Sequence, residues 1–421
     1  MVYRSYFDIP SNNKKNLKGS SPLLTDKLVE ELQGANLIFI SFFLFNNEFL
    51  LKELEKLSEK GCKINIYSLP LGGYSKTGDK VYDKDFEQSF SPSKYDYAEK
   101  IYSRIEKIPN IKLNICPHTY IWSKQKYSRG DQPYSLHSKS IFARFSDDYY
   151  KCISSSCNFA VGDPPHSENL LVVENCANTK NMFSEYFYQL HKYSVSQNQY
   201  NNNKSDDKDK GYSDVQYTIK ESKDLPGQNQ NCYFTAPFIK YEGIGSNHYV
   251  QMRIVDLLTQ AKNKIYICSQ HFSDFNSFDS ESLSIVKEIR KIKVLNRDIE
   301  IKVLKQTHHS DLKQPARTLA TENFLKGIEG IEQKYWKSII HDKFMIIDDQ
   351  LIMTTANFTS TQFAWKENHE MEYMVSVKGQ KPYKVSNTFS EINSFHFVND
   401  LETVSAYEGH FNNLWDRAEY I

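Results

Sequence analysis

Two segments of this chain carry the same signature, and a repeated signature restricts the fold more than any single element can. Residues 134–159 read YSLHSKSIFARFSDDYYKCISSSCNF, and residues 338–358 read SIIHDKFMIIDDQLIMTTANF. In each, a histidine and a lysine two positions apart (His137 and Lys139; His341 and Lys343) enter an apolar run that ends in small residues and Asn-Phe, at Asn158 and Asn357. Side chains at i and i+2 of a strand share a face, so each pair projects together. An ammonium in such a run is costly unless an anion meets it. A wet edge strand would account for one such triplet. It does not account for two, each followed by a glutamate ahead of a strand-like run: Glu168 in HSENLLVV and Glu370 in NHEMEYMV.

The repetition extends along the chain. LVEELQGANLIFIS (28–41) matches IVDLLTQAKNKIYICS (254–269), an amphipathic helix, a turn and an apolar strand. A second helix follows in each (FLLKELEKLSEKG; LSIVKEIRKIK), then an alternating strand (CKINIYSL; IEIKVLKQ). The halves also end alike, with Phe187 and Leu190 of EYFYQLHKY at the places of Phe411 and Leu414 of GHFNNLWDRA. A length of 421 residues suits two such domains. The pattern predicts an α/β fold of two similar sandwich halves related by a pseudo-twofold axis, with the active site at their interface. The expected domains are 1–193 and 232–421, joined across 194–231, whose start SVSQNQYNNNKSDDKDKGYSD is too polar to bury a core.

Composition excludes several classes. Lys+Arg and Asp+Glu are both 52, so there is no global field for nucleic acid or acidic membrane, and any basic groove is local. The N-terminus MVYRSYFDIPSNNKK lacks a signal-peptide pattern, and the longest apolar run, ANLIFISFFLF, is about half a bilayer span. Seven cysteines without C-x-x-C spacing read as reduced, buried residues, and the expected compartment is the cytoplasm.

Two histidines, two lysines and two asparagines converging suit a phosphate whose charge spreads in the transition state. One imidazole can attack phosphorus while the other protonates the departing oxygen. A metal site would need further converging ligands, and the adjacent His308 and His309 point to opposite faces of an extended segment. No metal and no cofactor are expected.

HDKFMIID, with Asp348 after Lys343, resembles the H-x-K-x4-D motif of the phospholipase D superfamily, and TTANF resembles the G-S-x-N element that follows it. The first copy resembles it less completely, because Arg144 stands at the place of the Asp, with Asp147 and Asp148 as substitutes in a longer hairpin. The resemblance implies a metal-independent, two-step phosphodiesterase working through a phosphohistidine, with His137 as nucleophile and His341 as general acid, then base. Lys139, Lys343, Asn158 and Asn357 would hold the phosphate, Glu168 and Glu370 would orient the imidazoles, and Asp348 would support structure.

The same centre can cleave nucleic acids or phospholipids. In HTYIWSKQKYSRGDQPYSLHSK, Tyr120, Trp122, Tyr127 and Tyr134 alternate with Lys124, Lys126 and Arg129, a pattern that suits bases stacked along a phosphate chain. The second half adds Lys305, Lys313, Arg317, Lys334, Trp336 and Lys337. Nucleic acid, DNA or RNA, is therefore the favoured substrate. A soluble phospholipase D or transphosphatidylase is the rival reading, and a non-catalytic phosphate-binding protein the third.

Overall fold

In a computed structural model, the described residues are 1–9, 18–69, 92–116, 134–202, 221–273, 284–306, 316–336, 339–359, 370–373, 383–386 and 390–420. The chain divides into two compact units, Met1–Lys223 and Asp224–Ile421.

The first unit is built from β1 (Val2–Asp8), α1 (Pro22–Leu32), β2 (Leu37–Ser41), α2 (Glu48–Glu59), β3 (Lys63–Ser68), α3 (Pro92–Ile105) and β4 (Ile111–Ile115). There follow β5 (Tyr134–Leu136), β6 (Ser140–Arg144), β7 (Tyr150–Ser155), β8 (Glu168–Glu174), α4 (Ala177–Lys192), β9 (Val195–Ser196) and α5 (Gln197–Asn202). Its sheet has eight strands in the order β1-β8-β7-β6-β2-β3-β4-β9. The pairs β2–β3 and β3–β4 are parallel, and the remaining neighbours are antiparallel.

The second unit opens near β10 (Lys223–Leu225), β11 (Cys232–Thr235), β12 (Ile239–Tyr241) and β13 (Ile244–Gly245). It continues through α6 (Ser246–Thr259), β14 (Lys264–Ser269), α7 (Ile285–Leu295), β15 (Glu300–Gln306), α8 (Ala316–Lys326), β16 (Ile331–Trp336), β17 (Lys343–Ile347) and β18 (Gln350–Thr354). It ends with β19 (Glu370–Tyr373), β20 (Tyr383–Ser386), β21 (Ser390–Val398), α9 (Leu401–Arg417) and β22 (Glu419–Tyr420). Its main sheet runs β11-β21-β18-β17-β14-β15-β16-β22. Strand for strand, this is the order of the first sheet, with the same two parallel pairs in the middle.

Local chemistry explains the elements. Ser21 caps α1 by accepting from the Leu24 N–H at 3.2 Å, with Pro22 at the first helical position. Asn47 caps α2, and Asp400 caps α9. Helix α2 buries Leu50, Leu51, Leu54 and Leu57 on one face, at about 1.5–3 kcal/mol for each fully buried side chain. The closing helices lay aromatic stripes on their own sheets: Phe187 of α4 meets Phe39 at 5.5 Å and Tyr67 at 5.8 Å, and Phe411 of α9 stacks on Tyr266 at 4.8 Å. All seven cysteines are free and buried. Among the described residues, no helix is long and apolar enough to cross a membrane.

The segment expected as a linker from residue 194 is partly built into the first unit. Val195 is buried, and β9 adds to the sheet edge beside β4, because one apolar residue in an otherwise polar stretch suffices to seat a two-residue strand. Residues 203–220 of that segment lie outside the described residues.

Candidate active site

Each unit presents one half-site at the same place on its sheet. The histidine lies in the irregular segment just ahead of the strand, not within it: His137 precedes β6 and His341 precedes β17. The lysine then folds back on its own motif. Lys139 Nζ donates to the His137 carbonyl at 2.7 Å, and Lys343 Nζ to the His341 carbonyl at 2.6 Å. Both lysines are fully buried, whereas His341 is 5% exposed and His137 is half-buried, edge-on to Phe43. An ammonium has three donors, and anchoring one of them holds the charge against the backbone of its own motif histidine.

The asparagines match as well. Asn158 Oδ1 and Asn357 Oδ1 are both buried without a hydrogen-bond partner in the protein. Buried amides are nearly always bonded, so each half has one amide end with acceptor capacity left over at the same point of its motif. Rotating the amide presents N–H donors at the same spot. The loop after Asn158 is pinned to the start of α2: Asn46 bonds both the N–H and the carbonyl of Val161, and Asn47 donates to the Phe159 carbonyl at 2.8 Å. Gly19 is required against this loop, since its φ is +99° and a Cβ there would sit 3.2 Å from the Phe159 backbone.

Glu168 opens β8 fully buried, accepting from the Ser156 hydroxyl at 2.6 Å and the Ser20 hydroxyl at 3.4 Å. His166, unsuspected from the sequence although it lies in the quoted HSENLLVV, brings Nδ1 within 3.4 Å of the Glu168 carboxylate. Burial and that carboxylate together push the neighbouring Cys157 thiol well up.

The glutamate predicted to match Glu168 stands elsewhere. Glu370 opens β19, which pairs with β20 in a separate two-stranded sheet. Ladder register identifies the true counterpart. Ser140 pairs with Ser154 and Phe344 with Met353, each one residue past its lysine. Ser154 in turn pairs with Leu171 and Met353 with His396. Three residues before these stand Glu168 and Asn393. The hydrogen bonds agree: Thr355 Oγ1 donates to Asn393 Oδ1 at 3.1 Å, as Ser156 does to Glu168. Likewise the Ser394 N–H bonds Thr355 Oγ1 at 3.0 Å, as the Asn169 N–H bonds Ser156 Oγ at 2.9 Å. The sequence hid this residue behind a long insertion.

The residue between His and Lys anchors the closing helix in both units. Ser138 and Ser41 share the Tyr186 hydroxyl of α4 at 2.7 and 2.9 Å. In the second unit Asp342 meets His410 Nε2 of α9 at 3.1 Å, both buried. Burial and the Asp342 charge push the Cys268 thiol well up, partly opposed by Lys343.

Asp348 holds the corner beside its motif. It sits in the two-residue β17–β18 turn at φ +49°, and its carboxylate accepts the N–H groups of Lys262, Asn263 and Lys264 at 2.8–2.9 Å. Arg144 cannot copy this, because it still pairs with Tyr150 on the ladder. Asn36 clasps that corner instead: its N–H reaches the Arg144 carbonyl and its Nδ2 the Phe145 carbonyl, both at 2.8 Å. Asp147 and Asp148, the expected substitutes, are exposed on the turn.

The residues expected to contact substrate divide. Tyr120, Trp122, Lys124, Lys126, Tyr127, Arg129, His308, His309, Lys313 and Lys337 lie outside the described residues. Lys305 is buried against Glu322 at 3.2 Å, and burial pushes its ammonium down to about 8 although Glu322 opposes it. Lys334 donates to the Trp415 carbonyl at 3.0 Å, and Trp336, 9% exposed, lies under the Arg417 guanidinium. These three lie on β15 and β16, toward the β22 end of the second sheet.

Residues 254–415 match the family described as cardiolipin synthase, PLD-like domain. No curated protein matches the chain. Among solved structures, phosphatidylserine synthase from Haemophilus influenzae Rd KW20 is similar at TM-score 0.53 and 12% identity, over 94% of this chain and 84% of that one. Polyphosphate kinase from Porphyromonas gingivalis is similar at TM-score 0.51 and 9% identity, over 97% of this chain and 46% of that one. Nuc from Salmonella typhimurium, described as a phospholipase D family member, shares 16% identity over 45% of this chain and 95% of its own, at a TM-score of 0.29, too low to bear on the fold. The H-x-K-x4-D motif at 341–348 falls inside the matched region, a second H-x-K segment precedes it in a unit of the same strand order, and the match to the PLD-like domain family is thus to residues 254–415.

Proposed function

We propose that this chain is a phosphodiester hydrolase working through a phosphohistidine. The observation that supports it is the duplicated half-site: in each unit a fully buried lysine is anchored to its motif histidine and an asparagine amide end is left without a protein partner. In the first step the His137 imidazole forms an N–P bond as the P–O bond to the leaving group breaks. The leaving oxygen takes the proton of His341. In the second step His341 deprotonates water, which cleaves the N–P bond and restores the nucleophile. Lys139, Lys343, Asn158 and Asn357 offset the charge on the phosphoryl oxygens.

Nucleic acid is the proposed substrate, on the alternation of rings and cations from Tyr120 to Arg129. A phospholipid head group is the second reading, favoured by the family description of residues 254–415 and by the likeness to phosphatidylserine synthase. Labelled single-stranded DNA, RNA and phosphatidylcholine vesicles, run side by side with and without EDTA, separate the two. Hydrolysis insensitive to EDTA is expected, with an acid-labile, alkali-stable labelled protein. His137→Ala should form no adduct, and His341→Ala should accumulate it on substrates with good leaving groups. Activity lost to EDTA and restored only by a divalent cation, or an adduct trapped in His137→Ala alone, would overturn the scheme or its assignment of roles.

A further inference from the structure

The row of paired residues that begins at Lys343 runs across the second sheet to another buried lysine. Lys343 of β17 pairs with Ser269 of β14, Ser269 pairs in parallel with Lys305 of β15, and Lys305 pairs with Tyr335 of β16. Paired residues on adjacent strands share a face, and two strand spacings set the Cα atoms of the two lysines about 10 Å apart. Lys305 stands near the carboxyl end of β15, and β14, β15 and β16 are parallel, so it lies at the end of the sheet where open α/β folds take ligands.

Its surroundings are short of negative charge. The Lys305 ammonium, 1% exposed, donates to Glu322 Oε2 of α8 at 3.2 Å and to Gln333 Oε1 of β16 at 3.4 Å. Its third donor has no hydrogen-bond partner among the described residues. Glu322 is shared, because Lys326 reaches its Oε1 at 3.3 Å and the Tyr335 hydroxyl donates to Oε2. Two cations thus meet one carboxylate. Burial holds Lys305 down at about 8 in spite of Glu322, so the carboxylate does not offset the desolvation of the ammonium, and a further anion would.

The first unit closes the same place without charge. Ile64 pairs with Ile111 as Ile301 pairs with Ile331, so Ser68 stands at the position of Lys305. Tyr102 of α3 stands at the position of Glu322, each the same number of residues ahead of the second isoleucine of those pairs. The Tyr102 hydroxyl donates to Ser68 Oγ at 2.7 Å, and Ser68 Oγ accepts from the Phe45 N–H at 3.0 Å. Neutral hydroxyls satisfy the fold here, and a buried ion pair adds little stability over a neutral pair of the same reach. The loop after β14 differs in the same sense. Ser273 stands at the position of Asn46, by the corresponding pairs Cys268 with Phe344 and Ser41 with Ser140. Asn46 bonds the N–H and the carbonyl of Val161, whereas the fully buried Ser273 hydroxyl has no hydrogen-bond partner among the described residues.

We propose that Lys305 is a second phosphate-binding residue of the second half, holding the phosphate next to the scissile one in a nucleic-acid strand. This deepens the nucleic-acid reading and rests on it: the substrate carries at least two phosphates, one met by Lys343 and one by Lys305. A strand offers such anions in regular succession.

The test is binding to the full chain of fluorescently labelled thymidine dinucleotides, read by anisotropy. One carries only the internucleotide phosphate, and two others carry an added 5′- or 3′-phosphate. One added phosphate should tighten binding by about tenfold or more, the worth of a hydrogen bond to a charged group. Lys305→Gln should bring that ratio to about one, and so should Lys305→Ser/Glu322→Tyr, which installs the first-unit pair should the single variant fail to fold. Lys326→Gln, which removes the exposed partner of Glu322, should keep the ratio. The parent's ratio should fade as pH rises past about 8, where the ammonium loses its proton, with Glu322, Lys326, Tyr335 and Lys343 as the other titratable groups on this face. A ratio of about one in the parent, a ratio retained in the folded double variant, or an equal loss in Lys326→Gln would overturn the proposal. So would a lost preference of Lys305→Gln for phosphatidylserine over phosphatidylcholine vesicles with the dinucleotide ratio intact, which would place a lipid head group at Lys305. The expected ratios in a chain that cleaves no phosphodiester would overturn the hydrolase reading alone, because binding needs no turnover.

Discussion

The two units lay their strands in one order, yet at four corresponding points they use different chemistry. The corner beside the motif is held by the Asp348 carboxylate in one and by Asn36 in the other. The helix anchor behind the motif is an Asp342–His410 pair in one and a Ser138–Tyr186–Ser41 hydroxyl cluster in the other. At the start of the adjoining strand Asn393 faces Thr355 where Glu168 faces Ser156, and three residues on, buried His396 stands where Leu171 does. In contrast, the lysine-to-carbonyl bond and the orphaned asparagine amide are the same in both. Scaffold contacts can be exchanged for others of the same reach, whereas the groups proposed to hold the phosphate are the same in type and place in both units.

The largest expected effect is at the helix anchors. Asp342→Ala leaves the His410 ring without its carboxylate, and His410→Ala leaves a buried carboxylate; either should cost about 3–5 kcal/mol. Tyr186→Phe, which removes a neutral hydroxyl from the first cluster, should cost about 1 kcal/mol. Urea melts read by fluorescence give the ranking. The double variant Asp342→Ser/His410→Tyr imports the first-unit solution and should recover much of the loss. If Tyr186→Phe proves as damaging as His410→Ala, the two anchors are not the different kinds of contact argued here.

Next in size is the response to acid, which should separate the units. Burial holds His396 down at about 3, well below the 6.5 of a free imidazole. The unfolded chain therefore binds the extra proton between those values, so the stability of the second unit is complete above about pH 6.5 and declines as pH falls toward about 3. At about 1.4 kcal/mol per pH unit, the loss near pH 4.5 is on the order of 2–3 kcal/mol. His396→Leu installs the residue that the first unit has at this register and should flatten that decline. Unfolding midpoints from pH 7 to pH 4 that fall equally in parent and variant would assign the acid sensitivity to other groups.

Much of the site was legible because its spacing is local. Histidine, lysine and the small-residue run ending in asparagine lie within one hairpin, so their order survives even though the first hairpin is longer. Asp348 was legible for the same reason. Asn393 was not, because Glu168 follows its asparagine by ten residues and Asn393 follows by thirty-six. The intervening segment offers a decoy in NHEMEYMV, and only ladder register shows that β21, not β19, takes the place beside β18. The anchors were hidden differently. Tyr186 and His410 each stand one residue before the matched Phe187 and Phe411, but a tyrosine facing a serine and a histidine facing an aspartate share no letter.

The smallest predicted effect concerns the corner, and two substitutions sharpen it. Asp348→Ala removes the acceptor for three backbone N–H groups and places a residue that disfavours φ of +49° at the turn, for a cost of about 2 kcal/mol. Asp348→Asn keeps the tolerance for that conformation and one neutral acceptor, and should cost about 1 kcal/mol. In the first unit Asn36→Ala removes two exposed side-chain bonds, one to the Phe145 carbonyl and a longer one from Arg144 Nε at 3.4 Å, while the Asn36 N–H still reaches Arg144, so its cost should stay at or below about 1 kcal/mol. None of the three changes touches the lysine or asparagine of either half-site, so turnover should follow the folded fraction. A loss of turnover in fully folded Asp348→Asn would mean that the corner sets the position of His341 and is more than a scaffold contact.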